Sequence, residues 1–193
     1  MAVSIEDIKK LRAMTGAGLA DVKKALTEAE GDFDKAKELL RERGLAIAAK
    51  RSDRETSNGC VLVKKVNDFA AIIALKCETD FVANGADFIK LTSDILDAAI
   101  AAKAHTLDEV KTLKVGDADA QAAVTQRSGI TGEKMELDGY SFIEGENVSV
   151  YDHMGRHMLC TMVQTNKPAE EQAHNIAMQV AAMNPVALDE ASV

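Results

Sequence analysis

Apolar residues recur every three or four positions through the first 44 residues, and beyond residue 59 they switch to short runs separated by turns. Ser4, with Asp7 three residues on, reads as a capping box, and Ile5, Ile8 and Leu11 form the apolar stripe of a first helix. Thr15-Gly16-Ala17-Gly18 ends it, because two glycines permit a tight turn. Leu19, Val22, Leu26 and Ala29 share one face of a second helix that stops at Gly31. Asp32 can cap a third, with Phe33, Ala36, Leu39 and Leu40 inward and Gly44 predicted as the glycine that closes it. LAIAAKRSDRE at 45–55 is helix-prone, and Thr56-Ser57-Asn58-Gly59 breaks it, which predicts a linker.

The remainder carries a weak internal duplication. CVLVKKV (60–66), a turn at Asn67-Asp68 and FAAIIALKC (69–77) predict a β-hairpin. A loop over Glu78–Gly85 then leads into a helix with Phe88, Leu91, Ile95, Leu96 and Ala99 inward. The second copy begins at 147 with NVSVYDH, a turn at Met154-Gly155 and RHMLCTMVQ. A helix follows, with Pro168 expected in its first turn, Ala173, Ile176, Ala177, Val180 and Ala181 on one face, and Asn184-Pro185 at its end. Between the copies, 107–128 is predicted helical, and strands around Met135–Leu137 and Ser141–Ile143 are placed to complete the first sheet. The second copy has no counterpart of that strand, so an unpaired edge is expected, which leaves room for self-association.

The predicted fold class is α+β. A three-helix bundle occupies 1–44, a helical linker 45–58, a first α+β subdomain 59–145, and a second, incomplete hairpin-plus-helix subdomain 146–193. With 4% aromatics and no Trp, the core must be built from Ala, Val, Ile, Leu and Met. The net charge is −8, and residues 57–193 carry 11 Lys/Arg against 20 Asp/Glu. An acidic body cannot readily replace phosphate counterions or dock to anionic lipid, so neither nucleic acid nor membrane is expected as a partner. MAVSIEDIKK has acids where a secretory leader is basic, and no apolar run is long enough to span a bilayer, so a cytoplasmic protein is expected. Cys60, Cys77 and Cys160 form no CxxC pair and read as small buried hydrophobes.

No pattern for bond chemistry emerges: there is no P-loop, GxGxxG, GxSxG or HExxH. His153 and His157 are four apart, but on a strand they would stand about 13 Å from each other, too far to share a metal. A metal-dependent hydrolase built on that pair is the weakest reading. Neither catalytic residues, metal ligands nor a cofactor are expected, and the chain reads as a non-enzyme.

Two stretches say more. Leu11 to Leu26 contains Thr15-Gly16-Ala17-Gly18 followed by Asp21, Lys23, Lys24, Ala25 and Leu26. It resembles the N-terminal signature "TGAG…D.KKAL" of the elongation factor Ts family. Cys77-Glu78-Thr79-Asp80-Phe81-Val82-Ala83 is similar to that family's "TDFVA" block at the end of a core strand. Ile176-Ala177-Met178, Ala181-Ala182 and Asn184-Pro185 resemble its "IAM..AA..P" helix, so the resemblance covers the whole chain.

The resemblance implies a ubiquitin-associated-like bundle ahead of the core. It also implies a guanine-nucleotide exchange factor that binds the GTPase domain of elongation factor Tu in its GDP form. By that likeness Asp80 and Phe81 are the working pair, the ring wedging between helices and the carboxylate disturbing the groups that hold Mg²⁺, with Thr79 and Val82 setting the loop. Speeding release by about three to four decades needs a barrier lowered by about 4–5.5 kcal/mol. One buried Phe contributes about 1.5–3 kcal/mol, so a second contact is required. Arg12 with Gly16, Gly18, Leu19 and Ala20 is the expected one.

Leu19-Ala20 departs from the Met-Met pair common in relatives, Gln179 stands where many have His, and KMELDGY at 134–140 lacks a basic pair. Typical members continue into a coiled-coil arm and a closing strand and helix, so this chain, ending at Val193, is expected to be a truncated or compact form with a less stable second subdomain. The competing class is an adaptor whose three-helix module binds ubiquitin-like folds or nascent chains; the Thr79–Val82 loop and the duplicated units have no place in it.

Overall fold

The computed structural model describes residues 3–192. Met1 and Ala2, in the segment read for a leader, and Val193, the last residue of the second subdomain, lie outside the described residues. Three helices open the chain: α1 (Ile5–Thr15), α2 (Leu19–Glu28) and α3 (Phe33–Lys50). Ser4 accepts from the Asp7 amide, Gly16 ends α1 in the left-handed region at φ 69°, and the Asp32 carboxylate caps α3 through the Asp34 and Lys35 amides. Ile8, Leu11, Val22, Ala25, Leu26 and Ala36 are buried together. Ile5 and Leu19, expected inward, are exposed; each is the first residue of its helix, beyond the turns that the neighbouring helices cover.

The main sheet follows the predicted hairpin. β1 (Asn58–Val66) and β2 (Phe69–Cys77) pair antiparallel across a two-residue turn, with Asn67 at φ 55°. A short turn, α4 (Asp80–Ala83), and a long helix, α5 (Ala86–Ala102), come next. The stretch 107–128 is not one helix: α6 (Leu107–Thr112) is separated from α7 (Ala120–Thr131) by a small hairpin, β3 (Lys114–Val115) and β4 (Ala118–Asp119). Gly116, at φ 64°, permits that reversal, and the Asp119 side chain caps α7 afresh. The two short strands expected around 135–143 are one, β5 (Met135–Glu144), paired antiparallel with β2. A bulge at Asp138 interrupts their register, and Gly139 lies so close that a Cβ there would meet the Ala74 Cβ at 2.9 Å.

The sheet order is β1-β2-β5. Phe69, Ile73, Leu75, Phe88, Ile95, Val110, Val124 and Leu137 form the core between the sheet and α5, α6 and α7.

Gly44 does not end the third helix. α3 runs unbroken to Lys50, and Gly44 is buried in its interior, where the helix crosses α7 at Gly129. A Cβ at Gly129 would lie 2.0 Å from the Gly44 Cα, so both glycines are there to let two backbones touch.

The second unit comprises β6 (Val148–Asp152), β7 (Cys160–Gln164) and α8 (Glu170–Met183). The hairpin connection is seven residues wide rather than a tight turn at Met154-Gly155, since Asp152 pairs with Cys160 and the left-handed Met154, Gly155 and His157 loop outward between them. Pro168 stands before the first turn of α8, not in it, with Ala169 at the cap, and Asn184 ends the helix in the left-handed region. Among the described residues this sheet has two strands. It docks on β1, where the Val61 amide donates to the His157 carbonyl (2.7 Å) and Lys65 Nζ to the Val148 carbonyl (2.7 Å).

Candidate functional site

The segment after β2 is built to project two side chains. Thr79 accepts from the Val82 amide through its hydroxyl, which caps α4, and the Asp80 carbonyl accepts from both nitrogens of Asn84. Successive residues of a helical turn point about 100° apart, so four residues divide into two faces. Ala83 is buried and Val82 packs half-buried on the core, which turns Asp80 and Phe81 outward. Phe81 is 87% exposed. The other Phe and Tyr side chains among the described residues are buried or half-buried, so this ring stands apart from them.

Two carboxylates bind the base of this tip to the junction between α7 and β5. Glu133 Oε2 accepts from the Glu78 amide (3.2 Å) and the Thr79 amide (3.0 Å), and Glu133 Oε1 accepts from the Thr79 hydroxyl. In return, Glu78 Oε1 accepts from the Lys134 amide (2.6 Å). Arg51, which caps the C-terminal end of α3, donates Nη1 to both Glu78 oxygens (3.1 and 3.3 Å), and Asn58 donates to the Glu78 carbonyl. The Lys134 amide, with Arg51 behind it, holds the Glu78 carboxyl below its ordinary range.

The N-terminal residues singled out by sequence cluster at the α1–α2 connection. Gly16 is the left-handed cap of α1, Gly18 the cap of α2, and Arg12, Leu19 and Ala20 are exposed. Leu19 is 57% and its neighbour Met14 55% exposed, so this loop also offers apolar surface. Beside it a cleft of about 660 Å³ lies between the bundle and the core, lined by Met14, Gly18, Lys24, Arg43, Gly129 and Ile130. Arg127 of α7 bonds Asp87 in the first turn of α5 (2.8 Å) and lies against Gly16. The loop and the tip are thus both referred to α7, one through Arg127 and the other through the residues that follow its end.

The remaining candidates have quiet environments. Burial pushes the Cys60 and Cys77 thiols up to about 11 and that of Cys160 up to about 12, which disfavours their thiolates. His153 and His157 sit in the wide loop rather than on strands, His153 against the Tyr151 hydroxyl (2.8 Å) and His157 against Asp152 (3.3 Å). No group of three potential metal-ligating side chains converges among the described residues, and no helix there is long and apolar enough to cross a membrane.

Sequence reasoning missed Glu133, Glu78 and Arg51, which come from three separated segments and meet only in the fold. The one local signal was the glycine before Glu133: Gly132 leaves α7 at φ 72° and turns the next side chain back toward β2.

A family model described as Elongation factor TS matches residues 78–193. The chain is 64% identical over 193 residues to elongation factor Ts of Parabacteroides distasonis, covering 100% of this chain and 59% of that one. It is 65% identical over 194 residues to that of Bacteroides fragilis, again 100% and 59%. With that of Porphyromonas gingivalis it shares 52% over 190 residues, 97% of this chain and 69% of the relative. The chain therefore spans about three fifths of the length of the first two curated relatives.

Proposed function

The chain belongs to the elongation factor Ts family, and from that premise we propose that it is a translation elongation factor that binds elongation factor Tu in its GDP form and speeds the release of GDP. It makes and breaks no covalent bond in doing so; it is a binding protein whose product is a change in another protein's affinity. The observation that carries the reading is Phe81, 87% exposed beside an exposed Asp80 on a turn whose base is fixed.

The physical logic is a linkage. GDP is held partly by Mg²⁺ through hard oxygen contacts. A partner that favours the geometry lacking those contacts weakens the nucleotide by the factor by which the nucleotide weakens the partner. Asp80 supplies negative charge where the metal's oxygen shell is held, and Phe81 supplies apolar area that stabilises the opened arrangement. Burying that ring is worth about 1.5–3 kcal/mol, short of the roughly 4–5.5 kcal/mol that a release faster by about three to four decades requires. The α1–α2 loop, with Arg12, Gly16, Gly18, Leu19 and Ala20, shares the load by docking on the same GTPase domain.

The test is release of fluorescent GDP from preloaded elongation factor Tu. The intact chain accelerates it, and the double change Asp80→Ala with Phe81→Ala removes about ten- to a hundredfold of the stimulation. Release indifferent to the intact chain would overturn the proposal.

A further inference from the structure

The tip is not held by its own residues alone. A single helical turn of four residues has no stability in isolation, because its nucleation cost is spread over too few hydrogen bonds. The ladder that precedes it also stops short: β2 and β5 are paired from Phe69 with Glu144 to Cys77 with Met135, and no further. Glu78 and Thr79 are the next two residues, and their amides go to a carboxylate 55 and 54 residues away. The sheet is already in register without that carboxylate, so what it orders is the segment beyond the sheet.

We infer that Glu133 is the positioning residue of the exchange tip, acting with Glu78 as a reciprocal pair. Each carboxylate takes the backbone of the other's segment, which locks the β2–α4 junction to the α7–β5 junction and presents Asp80 and Phe81 in one orientation before a partner arrives. This rests on the exchange reading for its purpose, but not for its geometry.

The Glu133 side chain stands on an anchored backbone. Gly132 sets the turn out of α7, the Ser128 hydroxyl donates to the Glu133 carbonyl, and the Thr131 hydroxyl accepts from the Glu133 amide. Its three accepted bonds come from two consecutive amides and a hydroxyl, and that hydroxyl in turn receives the Val82 amide inside the tip. The chain of bonds runs from α7 through Glu133 and Thr79 into the turn that carries Phe81. Bonds to an ionised acceptor are about twice as strong as neutral ones, and fixing a binding segment beforehand removes the ordering cost from the binding step. Arg51 extends the clamp to the end of α3, so three separate segments hold one exposed ring.

The variants are Glu133→Gln, which keeps the length and one acceptor oxygen but loses the charge and the second acceptor, and Glu133→Asp, which keeps the charge but falls a methylene short. In the free chain, exchange of the Thr79 amide with solvent deuterium rises about tenfold or more in either variant relative to amides in β2. With elongation factor Tu, stimulated GDP release falls in each variant, and the fall vanishes when Asp80→Ala and Phe81→Ala are already present, since neither working side chain is left to position. A role confined to holding the fold would instead lower the melting temperature and multiply independently with that double change. That independence, or an unchanged Thr79 exchange rate, overturns the inference. Failure of the intact chain to stimulate release would strike the exchange reading alone, because the Thr79 measurement needs no partner.

Discussion

The two hairpin-plus-helix units share a local pattern and differ in what completes it. In the first, β5 closes the sheet beside β2, and the face against α5 is filled by large side chains: Phe69, Ile73, Leu75, Phe88 and Ile95 are essentially inaccessible. In the second, among the described residues, two strands meet an α-helix whose buried positions are Ala173 and Ala177, while Ile176, Met178 and Met183 remain exposed. The difference teaches that a hairpin and an amphipathic helix do not by themselves make a core. A third strand and large inward side chains are what set apart the unit that carries the exposed ring.

Substitutions weigh the two units directly. Phe88→Ala empties the centre of the first and is expected to cost about 3–5 kcal/mol in denaturant unfolding. Val148→Ala, at one of the few buried positions of the second, removes two methyl groups and costs about 1.5–2.5 kcal/mol. Equal costs would mean that the second unit is packed as well as the first. Hydrogen exchange sharpens the contrast, since amides of β6 and β7 are expected to exchange before those of β2.

An effect comparable to that of Val148→Ala tests what ties the N-terminal bundle to the first unit. Gly129→Ala places a methyl group where α3 and α7 touch, and the helices must part to admit it. The expected loss is about 1–3 kcal/mol. An unperturbed melting temperature would show that the crossing is looser than the glycine pair implies.

The smallest effect concerns Glu78. Its carboxyl is held below the ordinary carboxylate range, so its contribution to stability is complete above the unfolded-state value and is lost as pH falls through the folded-state value. The difference in melting temperature between the intact chain and Glu78→Gln should therefore be present at neutral pH and shrink as the pH falls below the ordinary carboxylate range. A difference independent of pH would mean that the charge on Glu78 is not what the Lys134 amide and Arg51 hold.

The elements that repeat locally were legible in the sequence, and the contacts that join distant segments were not. Asn67-Asp68 announced its hairpin, and Ser4 and Asp32 their helices, because turn and cap chemistry is written within a few residues. Gly44 misled, since a glycine that ends a helix and one that lets another helix approach look alike until the second helix is placed. Gly116-Asp117 split a predicted helix for want of any apolar break around it. At the tip, Asp80 and Phe81 stood out by resemblance, whereas Glu133 is one carboxylate among many until the fold brings it to Thr79.

The most direct measurement of the central claim separates outward from inward use of one ring. Phe81→Ala should leave unfolding stability within about 0.5 kcal/mol of the intact chain, as for an exposed side chain, while stimulated GDP release from elongation factor Tu drops by at least about tenfold. A chain that loses stability yet stimulates release undiminished would contradict the account, for the ring would then serve its own fold and not its partner.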